Sequence, residues 1–276
     1  MQSINAIDPR SYGRMSTDEL RAAFLVGDLF QPGRLTLRHW ETDRTVIGGA
    51  VPTQEPLGLG VGKELAASHF CERRELGVIN LGGNGAIEAD GNRYELGSLD
   101  CLYVGRGTRD VRFASQNAAR PAAFYLLSYP AHTAYPTTLA RHDDINGTAL
   151  GSAETANDRV LYKFIHPEGI RSCQLVMGVT LLKSGSVWNT MPPHTHTRRS
   201  EVYLYFNVPE NAAVFHFLGQ PQETRHLIVR DRQAVLSPPW SIHSGAGTDS
   251  YGFVWGMGGE NQDFADVDPA PLSQLR

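Results

Sequence analysis

The chain has 276 residues, 25 Lys and Arg against 29 Asp and Glu, and a formal net charge of −4. Hydrophobic residues make up 41% and charged residues 20%, a globular balance with enough length for one large or two smaller cores, so disorder is excluded and no disulfide scaffold is needed. No basic stripe is available to neutralise phosphates and no apolar run approaches the ~18 residues of a membrane helix, so neither nucleic acid nor membrane is expected as a partner.

In chain order, the opening MQSINAIDPR carries no apolar core, and no leader is expected. Ser16-Thr17-Asp18-Glu19 is a capping-box pattern that predicts a helix through Leu20, Ala23 and Phe24, with Gly27 as its stop. A shorter helical turn is expected around Gly62–Ser68. From Arg74 onward strands dominate. Leu76–Leu81, Ala86–Asp90 and Arg93–Leu96 are apolar runs, and Asp90-Gly91-Asn92 between the last two is a hairpin signal. Leu99–Val104, Val111–Ala114 and Ala122–Ser128 continue the series. The stretch from about Tyr135 to Asn157 is polar and small, and reads as a linker or crossover. Beyond it, Gln174–Leu182, Val202–Phe206, Ala213–Leu218, Leu227–Val229, Ala234–Leu236 and Phe253–Met257 return to a β period.

The 28 glycines and 16 prolines punctuate these runs as in sandwiches and barrels. The expected fold is therefore all-β (mainly β) with a few short helices. It divides into two small β-barrel domains, 1-145 and 146-276, without a residue-level repeat between them. The three cysteines, Cys71, Cys101 and Cys173, form no CxxC, so neither a zinc ribbon nor a redox pair is expected, and a reducing cytoplasm fits.

The chemistry concentrates in Pro192-Pro193-His194-Thr195-His196-Thr197-Arg198-Arg199-Ser200-Glu201. In a strand, residues two apart share a face, about 7 Å apart along the chain, so His194 and His196 can converge on one ion, with Glu201 reaching the same point if the chain turns. His243 follows the Pro-rich turn Ser237–Trp240 and a barrel can bring it opposite the first three. A bare HxH pair arises by chance in a chain with ten histidines; its company with Glu201 and His243 is what points to metal. Three imidazoles and a carboxylate suit zinc, manganese, iron, nickel or cobalt. His216 and His226 read as core residues.

This arrangement resembles the cupin superfamily, which implies two cupin-like β-barrel or jelly-roll domains, the first without metal ligands. Two turns depart from the cupin pattern: Gly185 precedes His194 at a wider spacing, and Val208 stands where that pattern commonly has Gly. The resemblance narrows over nearly the whole chain. Val61-Gly62-Lys63-Glu64-Leu65, Arg73-Arg74-Glu75-Leu76-Gly77, Ile165-His166-Pro167-Glu168-Gly169, the unbroken string GSVWNTMPPHTHTRRSE (185–201) and Trp240-Ser241-Ile242-His243 are similar to the 4-deoxy-L-threo-5-hexosulose-uronate ketol-isomerase family. That resemblance implies an aldose–ketose isomerase of pectin and uronate catabolism. It would interconvert 5-dehydro-4-deoxy-D-glucuronate and 3-deoxy-D-glycero-2,5-hexodiulosonate. It also implies one zinc ion (Zn2+) per subunit on His194, His196, Glu201 and His243, and a hexameric homo-oligomer.

Moving a carbonyl to its neighbour requires a proton to leave one carbon and reach the next, with charge developing on oxygen. Glu201, Lys163 and Tyr251 are the candidates by residue type for that proton transfer. The substrate is a small sugar acid, so Arg198 and Arg199 are candidates to pair with its carboxylate, and in an alternating strand only one of the two faces the cavity. Gln174 and Met257 are candidates for the pocket wall, Met257 equally for barrel packing. On the residues alone, two other classes stay open: a metal-dependent dioxygenase, which would consume oxygen, and a non-catalytic sugar-binding bicupin. The ligand-poor first half is expected to form the oligomer.

Overall fold

Strands bounded by glycines and tight turns order into sheets of seven, four, seven, four and two strands in a computed structural model that describes all of Met1–Arg276. The chain divides into two compact units. One comprises Met1–Ile4, Asp28–Asn146 and Lys163–Met177; the other comprises Asn5–Gly27, Gly147–Tyr162 and Gly178–Arg276.

In the first unit, the seven-stranded sheet runs in space as Gln2–Ile4, Arg34–Trp40, Thr45–Val51, Phe124–Pro130, Arg74–Asn80, Cys101–Val104 and Thr138–Ala140. Its four-stranded companion runs Leu57–Gly58, Val111–Ser115, Gly85–Ala89 and Asn92–Leu96. Ile87 and Phe113 from the smaller sheet and Val78, Phe124 and Leu126 from the larger share one buried apolar cluster. The expected hairpin is present, with Asp90 and Gly91 both at positive φ (47° and 80°), the backbone that a two-residue turn between twisted strands requires.

The same counts recur in a second pair of sheets, built mainly from the second unit's residues. The larger is ordered Thr148–Leu150, Arg159–Ile165, Val176–Leu182, Gly252–Gly259, Arg199–Phe206, Ala234–Ser237 and Leu25–Val26; the smaller is ordered Trp188–Asn189, Ile242–Gly247, Val214–Gln220 and Glu223–Val229. A separate ladder joins His194–Thr195 to Asp268–Pro269. The mainly β expectation holds, but the strand orders are open and none closes on itself into a barrel.

Two local expectations are corrected. The Ser16 helix forms with its full capping box, Glu19 N–H donating to Ser16 Oγ and Ser16 N–H to Glu19 Oε2. It ends at Phe24 rather than at Gly27, because Leu25–Val26 turns extended and pairs with Ala234 and Val235. The polar stretch 135–157 is no plain linker: Thr138–Ala140 and Thr148–Leu150 each add an edge strand to a different sheet. The helical turn near Gly62 appears as a 3-10 turn, Lys63–Leu65.

Candidate metal centre

Three elements of the second unit deliver four donor side chains. His194 lies in the short strand His194–Thr195, and His196 follows as the chain leaves that ladder, so the pair converges through a bend and not along one strand face. Glu201 is the third residue of Arg199–Phe206, with Ser237 and Met257 opposite it on the flanking strands. His243 is the second residue of Ile242–Gly247, opposite Leu218. The ligand atoms of His194, His196, Glu201 and His243 all lie within 4.8 Å of one another.

Neighbour distances are short and even. His194 Nε2 is 3.1 Å from His196 Nε2 and 3.1 Å from His243 Nε2. Glu201 Oε2 is 3.2 Å from His196 Nε2 and 2.9 Å from His243 Nε2. Bonds of about 2.0–2.2 Å to a common ion set separations on this scale. The far nitrogens are tied back. His196 Nδ1 is 3.0 Å from the Asp266 carbonyl and 3.2 Å from Arg199 Nη2; the carbonyl, the nearer of the two, can accept the Nδ1 proton of the tautomer whose Nε2 faces the cluster. His243 Nδ1 is 3.3 Å from Ser237 Oγ.

The electrostatics agree with a cation site. Burial, aided by the neighbouring imidazoles, lowers His194 to about 3, so its ring is neutral and free to donate a lone pair. Burial alone would raise the Glu201 carboxyl; the imidazoles of His243 and His196 outweigh it and hold the group well below the usual carboxylate range. Three imidazole nitrogens and one carboxylate oxygen converging on one point are a donor set that suits a divalent first-row ion.

The cluster opens on a cavity of about 220 Å³. His194, His196 and Glu201 form one part of its wall. Tyr203 and Thr190, hydrogen-bonded hydroxyl to hydroxyl at 2.9 Å, form another, and Phe253, Trp255 and Met257 give it an apolar face. Met257 therefore faces the cavity. Arg159 is the cationic side chain on that wall.

The other candidates lie elsewhere. Tyr251 is buried; its hydroxyl accepts from Asn189 Nδ2 at 2.7 Å and lies 3.1 Å from the Val187 carbonyl, away from the cavity wall. Lys163 and Gln174 belong to the first compact unit, where Gln174 donates from its backbone to Glu75 and from its side chain to the Pro130 carbonyl. Arg198 is paired with Asp266 and Asp268. Arg199 is fully buried and donates to the carbonyls of Asp263 and Asp266. The two arginines thus fasten the segment that supplies the Asp266 carbonyl to His196, and neither lines the cavity. His216 is core as expected: Tyr205 Oη is 2.7 Å from its Nδ1, and burial lowers its pKa to about 3. His226 is instead exposed, against Phe215.

Arg159, Thr190 and Tyr203 were not among the candidate site residues of the sequence. Arg159 stands in a stretch without functional patterning and Tyr203 in an ordinary apolar strand, whereas Thr190 belongs to the family-like string 185–201 without a chemical role of its own type; its φ of 48°, rare for a β-branched residue, is visible only in the backbone.

Comparison with known proteins adds lineage to this geometry. A family model described as the KduI/IolB family matches residues 26–270. The chain is 51% identical over 276 residues to a 4-deoxy-L-threo-5-hexosulose-uronate ketol-isomerase of Halalkalibacterium halodurans, covering 100% of both chains. It is 52% identical, again over 100% of both, to one of Lachnoclostridium phytofermentans. Among solved structures, an IolB-like protein of Salmonella typhimurium superposes with a TM-score of 0.72 at 14% identity, over 87% of this chain and 94% of that one, a likeness of fold.

Proposed function

Because the chain belongs to the KduI/IolB family, we propose that its site carries out the ketol isomerisation of 4-deoxy-L-threo-5-hexosulose uronate, a step of pectin and uronate breakdown. Full-length identity near one half to relatives of that activity, with the donor cluster intact, is the observation that carries the reading. The chain is an enzyme, an isomerase acting on a small sugar acid.

His194, His196, Glu201 and His243 would hold a divalent ion, which we read as zinc because the reaction needs no change of oxidation state. When bound, such an ion polarises the substrate carbonyl and offsets the charge that develops on oxygen. The chain's own residues do the rest. The proton that leaves C2 and returns to C1 needs a group beside the reacting carbons, and Glu201 is the one of the three expected candidates placed on the cavity wall. The Thr190–Tyr203 hydroxyl pair borders the same space. Phe253, Trp255 and Met257 keep water away from an anionic intermediate. Arg198 and Arg199 act as positioning residues through Asp266.

The same reading takes each pair of sheets as a cupin-type jelly roll: 1-145 as the domain without ligands, shaping a hexamer, and 146-276 as the metal-binding one. It also places the protein in the cytoplasm, without nucleic-acid partners. No helix is long and apolar enough to cross a membrane.

The test is turnover of freshly made 5-dehydro-4-deoxy-D-glucuronate, coupled to a reductase that consumes the diketo product, with an oxygen electrode in the same vessel. Turnover that stops on chelation, returns with zinc and consumes no oxygen is expected. Metal-replete protein that gives no product, or that takes up oxygen in step with substrate loss, overturns the assignment.

A further inference from the structure

The cavity beside the donor cluster has a cation on its wall that the protein itself leaves unmatched. Arg159 opens the strand Arg159–Ile165 and is half-buried. Its Nη1 donates to the Asn157 carbonyl at 2.9 Å, and no carboxylate lies within ion-pair distance of it. No acidic side chain is among the groups that act on its charge, and the hydroxyls of Tyr203 and Tyr251 nearby are held neutral by burial. Burial lowers its pKa, so holding the charged form there costs free energy that no acidic side chain offsets.

The other two arginines near the site differ. Arg198 is paired with Asp266 and Asp268, and Arg199 donates from both Nη atoms to carbonyls with Glu201, Asp266 and Asp263 acting on its charge. Arg159 is thus the cation on this wall with hydrogen-bonding capacity to spare, in a chamber whose other face is Phe253, Trp255 and Met257. A guanidinium in such surroundings matches a carboxylate, whose two oxygens accept parallel N–H bonds that the apolar wall shields from water.

The substrate, on the function proposed above, has its reacting carbonyl and hydroxyl at one end and its carboxylate at the other. Arg159 and three of the four donor residues line the same cavity, which offers one group for each end. We propose that Arg159 binds the carboxylate of the sugar acid and selects anionic over neutral sugars, the role that the sequence had offered to Arg198 and Arg199. The inference rests on the ketol-isomerase reading for the identity of the substrate, and on the structure alone for the anion site.

The test compares wild type with Arg159→Met and Arg159→Lys by kcat, KM, metal content and the quenching of tryptophan emission, Trp255 being on the wall, by D-glucuronate against D-glucose. The expectation for Arg159→Met is a KM raised on the order of 100-fold, from the loss of two charge-assisted hydrogen bonds. Its kcat should stay within a few-fold and its metal content unchanged, and the wild-type preference for glucuronate should vanish. Arg159→Lys should recover part of that preference; if the Met variant fails to fold, Arg159→Gln replaces it in the comparison. A charge-free variant with full metal and a KM within twofold of wild type overturns the proposal, as does a KM rise that tracks metal loss. Wild type that prefers glucuronate but gives no turnover counts against the ketol-isomerase reading and leaves the Arg159 anion site supported.

Discussion

At the scale of single residues, the centre depends on partners that hold each imbalance in place. His243 is buried between Ser237 on one nitrogen and the His194–Glu201 pair on the other. Its removal takes away a donor and leaves Glu201 facing a void. Loss of an outer partner typically costs about 10–100-fold in metal affinity, and loss of a donor exceeds that. His243→Ala is therefore expected to lose most of its metal, measured per chain by elemental analysis, and its turnover with it; a variant that keeps both at wild-type levels contradicts the four-donor assignment. The donor residues were legible from spacing because HxH, Glu and a lone His after a Pro-rich turn are chemically conspicuous. Arg159 was not, since an arginine at the start of an ordinary strand resembles any solvated one until the absence of a carboxylate beside it is seen.

At the scale of elements, alternation revealed the strands with one wet face and hid those buried on both. Gly85–Ala89 and Asn92–Leu96 declare themselves through their Asp-Gly turn. Thr45–Val51 is buried at every position, and its central Gly48-Gly49 looks like a turn, so the sequence gives no sign of the strand. Those glycines are there because neighbouring backbone comes close: a Cβ on Gly49 would lie 2.5 Å from the Leu29 carbonyl oxygen, and one on Gly48 would lie 2.7 Å from that of Thr36. Gly49→Ala should thus lower the unfolding free energy by about 1–3 kcal/mol, as overpacking does. Gly58→Ala, where a Cβ meets nothing within 4 Å, serves as the control and should stay near wild type. Equal denaturation midpoints for the two variants would contradict this account of the central strand.

At the scale of the whole molecule, the second unit carries the donor cluster and three of the four tryptophans, Trp188, Trp240 and Trp255. An ion that binds the folded cluster and not the unfolded chain stabilises this unit by mass action, about 2.7 kcal/mol at a hundredfold excess over its dissociation constant. Chelation should lower the midpoint of thermal unfolding followed by tryptophan emission, and added zinc should restore it. An emission midpoint indifferent to chelator would mean that the ion contributes nothing to the fold around it.

The amino-acid sequence by itself determined the β-rich class, the capped first helix, the four residues of the candidate metal cluster and the family, because each is written in local pattern or in residue type at fixed spacing. Only the tertiary structure decided which strands form the centre of each sheet and that Asn5–Gly27 belongs with the second unit and Lys163–Met177 with the first. It also decided which arginine faces the cavity. Those outcomes depend on burial and charge pairing between residues far apart in the chain: Asp266 and Asp268 satisfy Arg198, and no such acid reaches Arg159.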